Sequence, residues 1–170
     1  MKKFFFLAGF IALSLTTFAQ PKQPNLQKMD YHKKGALLPP FVLEKTAGGT
    51  LTNTQLKKGK NVMLMIFSPQ CDHCEHMMDS LKNIAGMFTN TQLILVAEDR
   101  NKQYMKDFIK KTDIGSHPLF QNIGTERGNL IAYIYNYKLL PQVNFYDKNY
   151  KLVESFYGNS PLDSIKMFIK

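Results

Sequence analysis

The two cysteines of this 170-residue chain lie three positions apart, in the stretch FSPQCDHCEHMM that spans residues 67–78. Cys71 and Cys74 follow an apolar run typical of a buried strand, and a helical pattern begins directly after Cys71. A disulfide between cysteines this close would close almost no loop, so the loop-entropy model assigns it only about 2 kcal/mol of stabilisation. The pair is therefore better suited to reversible redox chemistry than to a structural crosslink.

The position of Cys71 at the expected start of a helix favours an ionised sulfur. Unpaired backbone N–H groups and the helix dipole stabilise negative charge at such a position, and the thiolate is the species that attacks a disulfide. Cys74 lies one turn further on, where it can displace a client bound to Cys71 and close the pair. We therefore expect an attacking Cys71 and a resolving Cys74, whose disulfide is itself the redox group, with no bound organic cofactor.

The strands that position this pair are expected from the apolar runs of the sequence. Residues 61–68 and 92–97 each contain a continuous apolar run, which is typical of strands buried on both faces in a parallel sheet. A short strand is expected at 118–123, and residues 143–157 predict a hairpin with a turn near Asp147.

Helices are expected between these strands, where apolar residues recur at helical spacing. The pattern predicts helices from Asp72 to Phe88, around residues 104–109 and at 129–135, and a closing helix that runs to Ile169. Strands alternating with helices, followed by an antiparallel hairpin, predict an α/β sandwich with a mixed sheet.

The N-terminal residues have the pattern of an export signal. A short basic segment precedes an apolar stretch of about twelve residues, which is too short to span a bilayer, and a small residue follows at Ala19. We expect residues 1–19 to be a signal peptide, 20–34 a flexible linker and 35–170 one domain, with an uncleaved anchor as the alternative. This predicts a bacterial protein in the periplasm or another extracytoplasmic compartment, where disulfides persist.

The charge of the chain is not concentrated in a binding surface. The net charge is +9, and loss of Lys2 and Lys3 with a signal peptide would lower it to +7. The remaining lysines form only small clusters at 57–60 and 110–111, without interleaved aromatic residues, which disfavours nucleic-acid binding. No second apolar run is long enough for a membrane helix, and we expect a monomer.

From Gly35 to the C terminus, the chain resembles the thioredoxin-like superfamily, in its exported TlpA/ResA-like branch related to AhpC/TSA proteins. Residues 37–74, LLPPFVLEKTAGGTLTNTQLKKGKNVMLMIFSPQCDHC, resemble the opening of that branch, a short hairpin before the catalytic strand. The segment before Pro141 has room for the extra strand and helix of the branch, and the terminal hairpin and helix are in place. Leu140 and Pro141 fall where the family has a cis-proline that faces the cysteines.

This resemblance implies a three-layer α/β/α sandwich with a central mixed sheet, an N-terminal β-hairpin and a βα insertion before the cis-proline strand. It implies a thiol–disulfide oxidoreductase that takes protein dithiols and disulfides as substrates. Leu140 and Pro141 would bind an extended substrate segment through the backbone. We expect a second dithiol protein, embedded in the membrane, to exchange electrons with the pair.

The sequence departs from this family where proton acceptors are concerned. Gln70 replaces the usual aromatic residue, and Met65 replaces the acid that thioredoxins bury on the catalytic strand. Met77 stands where ResA-like proteins have a glutamate. Glu98, after the second buried strand, is the candidate substitute acceptor for the proton of the resolving thiol, with water as the alternative.

Two further residues between the cysteines are expected to tune the redox potential. The dipeptide His73-Cys74 resembles that of the strongly oxidising DsbA, and a cationic imidazole there would stabilise the Cys71 thiolate. The carboxylate of Asp72 would repel the same thiolate. These opposing effects predict a potential between that of thioredoxin, about −270 mV, and that of DsbA, about −120 mV.

A Cu(I) chaperone is the first alternative function. Soft ligands suited to Cu(I) are clustered at Cys71, Cys74, His73, His76, Met77 and Met78. Copper-delivering relatives of this fold add a distant histidine, for which His117 is the candidate, but they space their cysteines one residue wider. The two methionines also fit the apolar stripe of the helix, and a structural zinc site would need a second ligand pair.

A thiol peroxidase of the peroxiredoxin type is the second alternative. That chemistry requires Thr or Ser three residues before the attacking cysteine, which Ser68 supplies, and a proline seven residues before it, where this chain has Leu64. A binding module without enzymatic activity is the third alternative, and the intact cysteine pair argues against it.

Overall fold

The computed structural model describes residues 30–159 and 161–169. The expected signal peptide and residues 20–29 of the expected linker lie outside this part of the chain. Within it, the chain forms one seven-stranded mixed sheet with the strand order β2-β1-β5-β4-β3-β6-β7. The α/β class and the thioredoxin-like architecture expected from the sequence are confirmed.

The strands are β1 Val42–Lys45, β2 Thr50–Thr52, β3 Asn61–Ile66, β4 Thr91–Glu98, β5 Ile123–Glu126, β6 Gln142–Tyr146 and β7 Leu152–Tyr157. The helices are α1 Asp72–Asn83, α2 Met105–Thr112, α3 Leu130–Tyr135 and α4 Leu162–Lys166. The antiparallel pair β1–β2 is the expected N-terminal hairpin, and β5 with α3 forms the expected insertion before the prolyl strand.

The pairing of the strands brings the cysteines and Pro141 to one edge of the sheet. Strands β3, β4 and β5 are parallel, so their carboxyl ends meet at the same edge. Strand β6 runs antiparallel to β3, and its first residue, Gln142, pairs with Ile66 at the end of β3. The segment that enters β6 therefore lies beside the loop that leaves β3.

Strand β3 is buried on both faces, as its continuous apolar run predicts. Met63 and Met65 pack on the face that carries α1, α2 and α4. Leu64 and Ile66 point to the opposite face, where α3 packs. A central strand of this kind gives a rigid base for the loop and helix that follow it.

The strand predicted at 118–123 is wrong in its position. Pro118–Phe120 forms a short 3-10 helix, and the strand is Ile123–Glu126. The physical reason is local: Pro118 has no N–H to give to a ladder, and the imidazole Nδ1 of His117 accepts a hydrogen bond from the backbone N–H of Leu119 at 3.2 Å. A capped turn therefore replaces the beginning of the strand.

Two helices are shorter than their apolar pattern predicts. Helix α1 ends at Asn83 rather than near Phe88, because the chain passes into a 3-10 turn at Ala85–Met87 that contains a glycine, a poor helix former. The closing helix α4 ends at Lys166. Among the residues described, none of the helices combines the length and apolar character that a bilayer crossing demands.

The packed chain begins before Gly35, the expected start of the domain. Tyr31 is only 4% exposed. The backbone N–H of Gly35 donates to Leu152 O at 2.8 Å, which ties this opening segment to β7. The described part of the expected linker is therefore folded against the domain, because an aromatic ring within it is covered.

Candidate active site

The loop between β3 and α1 is closed by hydrogen bonds to one serine. The backbone N–H of Phe67 still donates to Val96 O at 3.0 Å, so the ladder with β4 continues past β3. The N–H of Cys71 then donates to Ser68 O at 3.2 Å, and the N–H of Gln70 donates to the Ser68 hydroxyl oxygen at 3.3 Å. This short loop fixes Cys71 against the end of the central strands.

Cys71 is the N-cap residue of α1. Its backbone is extended, with φ −114° and ψ 113°. Its carbonyl oxygen accepts from the N–H groups of Cys74 at 2.9 Å and Glu75 at 3.2 Å, which are the first hydrogen bonds of the helix. The expected placement of Cys71 at a helix N-terminus is confirmed, and the helix dipole there favours negative charge.

The two thiols are adjacent but differ in exposure. Cys71 is partly exposed, whereas Cys74 is fully buried at 0% exposure, and both are free. Burial raises the pKa of the Cys74 thiol far above its ordinary value, and its hydrogen bond with Cys71 raises it further. A hydrogen bond from the backbone of Ser68 acts in the opposite direction. Cys74 is therefore a protonated thiol at neutral pH.

The prolyl loop faces Cys71. The Leu140–Pro141 peptide bond is cis, as the family resemblance implies. The carbonyl oxygen of Leu140 lies 3.8 Å from Cys71 Sγ and accepts a hydrogen bond from the thiol. Pro141 is buried, and its carbonyl oxygen accepts from the N–H of Gly158 at 2.9 Å. The structure thus brings together four of the predicted site residues: Cys71, Cys74, Leu140 and Pro141.

Asp72 and His73, the residues expected to tune the potential, are both exposed on the first turn of α1. Within the described residues, neither side chain makes a hydrogen bond or an ion pair with another group. The charge of Asp72 is close enough to Lys111 to help to raise the pKa of that lysine, although Glu75 has the larger effect. The redox roles of Asp72 and His73 stay predictions.

Glu75, which sequence reasoning did not single out, carries a charge that affects the Cys74 thiol. Its carboxylate contributes to the raised pKa of the Cys74 thiol, after burial and Cys71. An ion pair of 2.7 Å with Lys111 on α2 holds this carboxylate in place, with its side chain 20% exposed. The signal was available, because Glu75 follows Cys74 directly in the first turn of the predicted helix.

Glu98, the candidate proton acceptor, reaches the rim of the site rather than its sulfurs. It ends β4, and its side chain is 12% exposed. Its carboxylate accepts from Arg100 Nε at 2.8 Å and from the phenol of Tyr137. No hydrogen bond joins it to Cys71 or Cys74 among the residues that the structure describes. Glu98 borders an open cleft of about 440 Å³ whose walls include Ser68, Gln70, Arg100, Tyr104, Tyr137 and Leu140.

The ligands of the Cu(I) alternative do not converge. His117 lines a separate cavity beside Thr91, at the amino end of β4, whereas the cysteines follow the carboxyl end of β3. Met77 and Met78 are buried in the core beneath α1. In the described segments 30–159 and 161–169, no three His, Cys, Asp or Glu side chains form a group that could hold a metal ion.

Comparison with known families adds one finding from sequence. The sequence model of the AhpC/TSA family matches residues 35–155, which is most of the described chain. No curated protein matches the sequence.

Comparison with solved structures shows the same fold in bacterial proteins of low sequence identity. A Chlorobium tepidum protein described as a thiol:disulfide interchange protein DsbE has a TM-score of 0.68 at 19% identity, covering 81% of this chain and 95% of its own. The thioredoxin domain of a Bacteroides vulgatus thiol-disulfide oxidoreductase has a TM-score of 0.66 at 17% identity, covering 81% and 99%. The exposed lipoprotein thioredoxin Etrx1 of Streptococcus pneumoniae has a TM-score of 0.61 at 22% identity, covering 77% and 98%.

Proposed function

The chain belongs to the AhpC/TSA family, and from that premise we propose that it is an extracytoplasmic thiol–disulfide oxidoreductase that exchanges disulfides with protein substrates. The observation that carries the proposal is the unequal placement of two adjacent thiols. Cys71 is partly exposed at the start of α1 beside the prolyl loop, and Cys74 is fully buried behind it. One sulfur can therefore meet a client, and the other can act only after the first has reacted.

The reaction proceeds in two exchanges. The thiolate of Cys71 attacks one sulfur of a client disulfide, so that a Cys71–client bond forms while the client S–S bond breaks and the other client sulfur leaves as a thiolate that takes a proton. Cys74 then loses its proton and attacks Cys71 Sγ, which forms the Cys71–Cys74 disulfide and releases the second client thiol. The client gains two electrons and the protein loses two; the reverse sequence oxidises a client.

The resolving step requires that Cys74 lose its proton, and its environment opposes this loss. Burial and the neighbouring thiol both raise the pKa of Cys74. Formation of the mixed disulfide removes the Cys71 thiol, and with it the second of these effects. The charge of Glu75 also raises the pKa of Cys74, and the carboxylate of Glu75 is paired with Lys111, so Glu75 adds to the cost of forming the Cys74 thiolate. A role of Glu98 as acceptor stays a prediction.

Export and a dithiol partner belong to the same proposal. The N-terminal sequence pattern supports export, and one similar structure belongs to a protein described as an exposed lipoprotein. A second dithiol protein, in the membrane or beside it, would return the Cys71–Cys74 pair to its starting state. The reduction potential of the pair decides the direction: a value near about −270 mV indicates a reductase and one near about −120 mV an oxidase.

The test uses insulin as a disulfide-bonded probe and two serine variants. Cys74→Ser should accumulate a covalent Cys71–insulin disulfide, because the attacking thiol is present and the resolving thiol is not. Cys71→Ser should form no such adduct and should not reduce insulin above the rate of a control without protein, because the accessible nucleophile is gone. Mass spectrometry under non-reducing conditions detects the adduct. An adduct on Cys74 in the Cys71→Ser variant, or none in either variant, would overturn the assignment.

A thiol peroxidase is the second candidate, because one of its local requirements is met. Ser68 precedes Cys71 by three residues, and its carbonyl oxygen and hydroxyl organise the loop that ends at Cys71. Leu64 is buried within β3, where the peroxidase pattern has a proline. Consumption of hydrogen peroxide with a dithiol as reductant and without a protein disulfide would favour this candidate over disulfide exchange.

A further inference from the structure

The prolyl loop is held by side chains rather than by its own backbone. Among the described residues 30–159 and 161–169, no backbone–backbone hydrogen bond outside the helices and strands involves residues 137–140. Yet this segment places the Leu140 carbonyl oxygen 3.8 Å from Cys71 Sγ. Its far end is fixed by Pro141, whose carbonyl accepts from Gly158. The near end, which leaves α3, depends on the contacts of Tyr137.

Tyr137 is bound to the sheet through Glu98. Its phenol donates a hydrogen bond to the Glu98 carboxylate at the end of β4. Arg100 donates to the same carboxylate through two nitrogens, Nε at 2.8 Å and Nη2 at 3.0 Å. These contacts fix the position of the Glu98 carboxylate. A hydrogen bond to a charged group is stronger than one between neutral groups. The loop therefore leaves α3 at one fixed point on the end of a central strand.

We propose that Tyr137 and Glu98 are positioning residues that fix the prolyl loop, and with it the client groove beside Cys71. This inference rests on the proposed disulfide exchange and adds to it the residues that shape the groove for a polypeptide client. Leu140 belongs both to the loop that faces Cys71 and to the cleft that Glu98 and Tyr137 border. A shift of the loop would therefore move the groove wall and the carbonyl oxygen next to the attacking sulfur together.

The groove matters for large clients and little for small ones. An extended polypeptide must lie along the loop while its sulfur meets Cys71. A misplaced loop would therefore hold the client sulfur out of line with Cys71 Sγ and slow the exchange. A small disulfide such as hydroxyethyl disulfide needs only access to the sulfur. Loss of the hydrogen bond between Tyr137 and Glu98 should thus lower the reaction rate with a polypeptide selectively. A general loss of folding or of the nucleophile would lower the rates with both kinds of disulfide.

The experiment measures second-order rate constants of the reduced protein with insulin and with hydroxyethyl disulfide. Tyr137→Phe, which keeps the ring and removes only the hydroxyl, should slow insulin about tenfold while hydroxyethyl disulfide reacts as with wild type. Glu98→Ala should do the same, and the double variant should be no slower than either single variant, because each removes the same bond. Tyr133→Phe is the matched control, since this tyrosine is 67% exposed on α3 and makes no described hydrogen bond.

Glu98→Gln separates positioning from proton transfer. The amide keeps an oxygen that accepts from Tyr137, so we expect insulin rates close to wild type. If Glu98 instead took the proton of Cys74, Glu98→Gln would be as slow as Glu98→Ala and Tyr137→Phe would be nearly normal; that result would overturn the inference. Equal slowing of both disulfides by Tyr137→Phe would overturn it as well. A wild-type protein inert towards both probes would instead defeat the proposed function.

Discussion

The two faces of the sheet bury different kinds of side chain. The face that carries α1, α2 and α4 surrounds Cys74 with apolar side chains, including Met65 and Phe67. The face beneath α3 holds amides, phenols and the one carboxylate that is buried among the described residues, Glu126. Its buried polar residues also include Gln142, Asn144, Tyr135 and Tyr146.

This difference explains where the acidic groups of the molecule act. Sequence reasoning sought a carboxylate for the thiol of Cys74, but Glu98 and Glu126 are register partners on β4 and β5 and face α3 instead. Glu126 accepts from the backbone N–H of Ile131 near the start of α3, and Glu98 accepts from Tyr137 just after its end. The carboxylates of this edge of the sheet therefore hold the insertion helix, and the Cys74 thiol lies in the apolar cluster on the other face.

Placing an acid on the face of the sheet that carries α1, α2 and α4, here called the apolar face, should have the largest effect on stability. Met65 is fully buried in the same cluster as Cys74, so Met65→Asp should lower the free energy of unfolding by about 4 kcal/mol at neutral pH, through lost packing and a buried charge. The loss should shrink in acid, because burial raises the pKa of the new carboxyl and it then folds as the neutral acid. Denaturant titration at two pH values measures both.

Met65→Asn is the matched control for that variant, since it has the same shape without a charge. Its destabilisation should not depend on pH between about 5 and 7. An equal pH dependence in both variants would show that the apolar face tolerates charge. The acid variant should also resolve a Cys71–insulin adduct faster than the Asn variant.

A smaller effect on stability is expected from substitutions on the face of the sheet beneath α3. The hydroxyls of Tyr135 and Tyr146 are hydrogen-bonded to each other, and both rings are buried. Tyr135→Phe leaves the Tyr146 hydroxyl without this partner, which should cost about 1–2 kcal/mol of stability. Chemical denaturation measures these losses. A double variant with Phe at both positions should lose less free energy of unfolding than the sum of the two single losses. Strict additivity would mean that the two hydroxyls do not stabilise each other.

The smallest effect is expected at Glu126, and its sign depends on pH. Burial raises the pKa of this carboxyl, with backbone hydrogen bonds from Ile131 and Leu130 in opposition. The folded protein therefore binds the proton more tightly than the unfolded chain, and the resulting stability is present below the unfolded pKa and lost as pH rises through the folded pKa. Wild type should lose stability relative to Glu126→Gln as the pH rises from about 4 to about 7.

Glu44→Gln provides the opposite case. Hydrogen bonds from Lys102 and Arg127 lower the pKa of Glu44, so its stabilisation is present at neutral pH and lost as the pH falls. Wild type should therefore gain stability relative to Glu44→Gln over the same rise in pH. Thermal unfolding across the range tests both variants, and slopes of the same sign would contradict the difference between a buried and an ion-paired carboxylate.

The core of the site could be predicted from sequence because its signals are local. The change from a continuous apolar run to helical spacing occurs at Cys71, and this change places the pair at a strand–helix junction. The cis bond before Pro141 followed from family resemblance, not from the residues around it. The alternation of Met63 and Met65 with Leu64 and Ile66 likewise predicted a strand buried on both faces.

The remainder depends on contacts between distant parts of the chain. Glu98 and Tyr137 are separated by 39 residues and meet only because α3 folds back over the end of β4. Nothing in the local pattern around either residue indicates that pairing. The displaced strand near 118 has a different cause, since the imidazole of His117 caps a turn through a contact that apolar periodicity does not record.

The complete burial of Cys74 also decides how the protein meets oxidants. A small oxidant can reach only Cys71, and the sulfenic acid that forms there would lie against the Cys74 thiol, which is shielded from solvent. Condensation of the two gives the Cys71–Cys74 disulfide and one water, before a further oxidant converts the sulfur irreversibly. The burial of Cys74 thus protects the Cys71 sulfur from irreversible oxidation, and the product is the disulfide of the proposed exchange reaction.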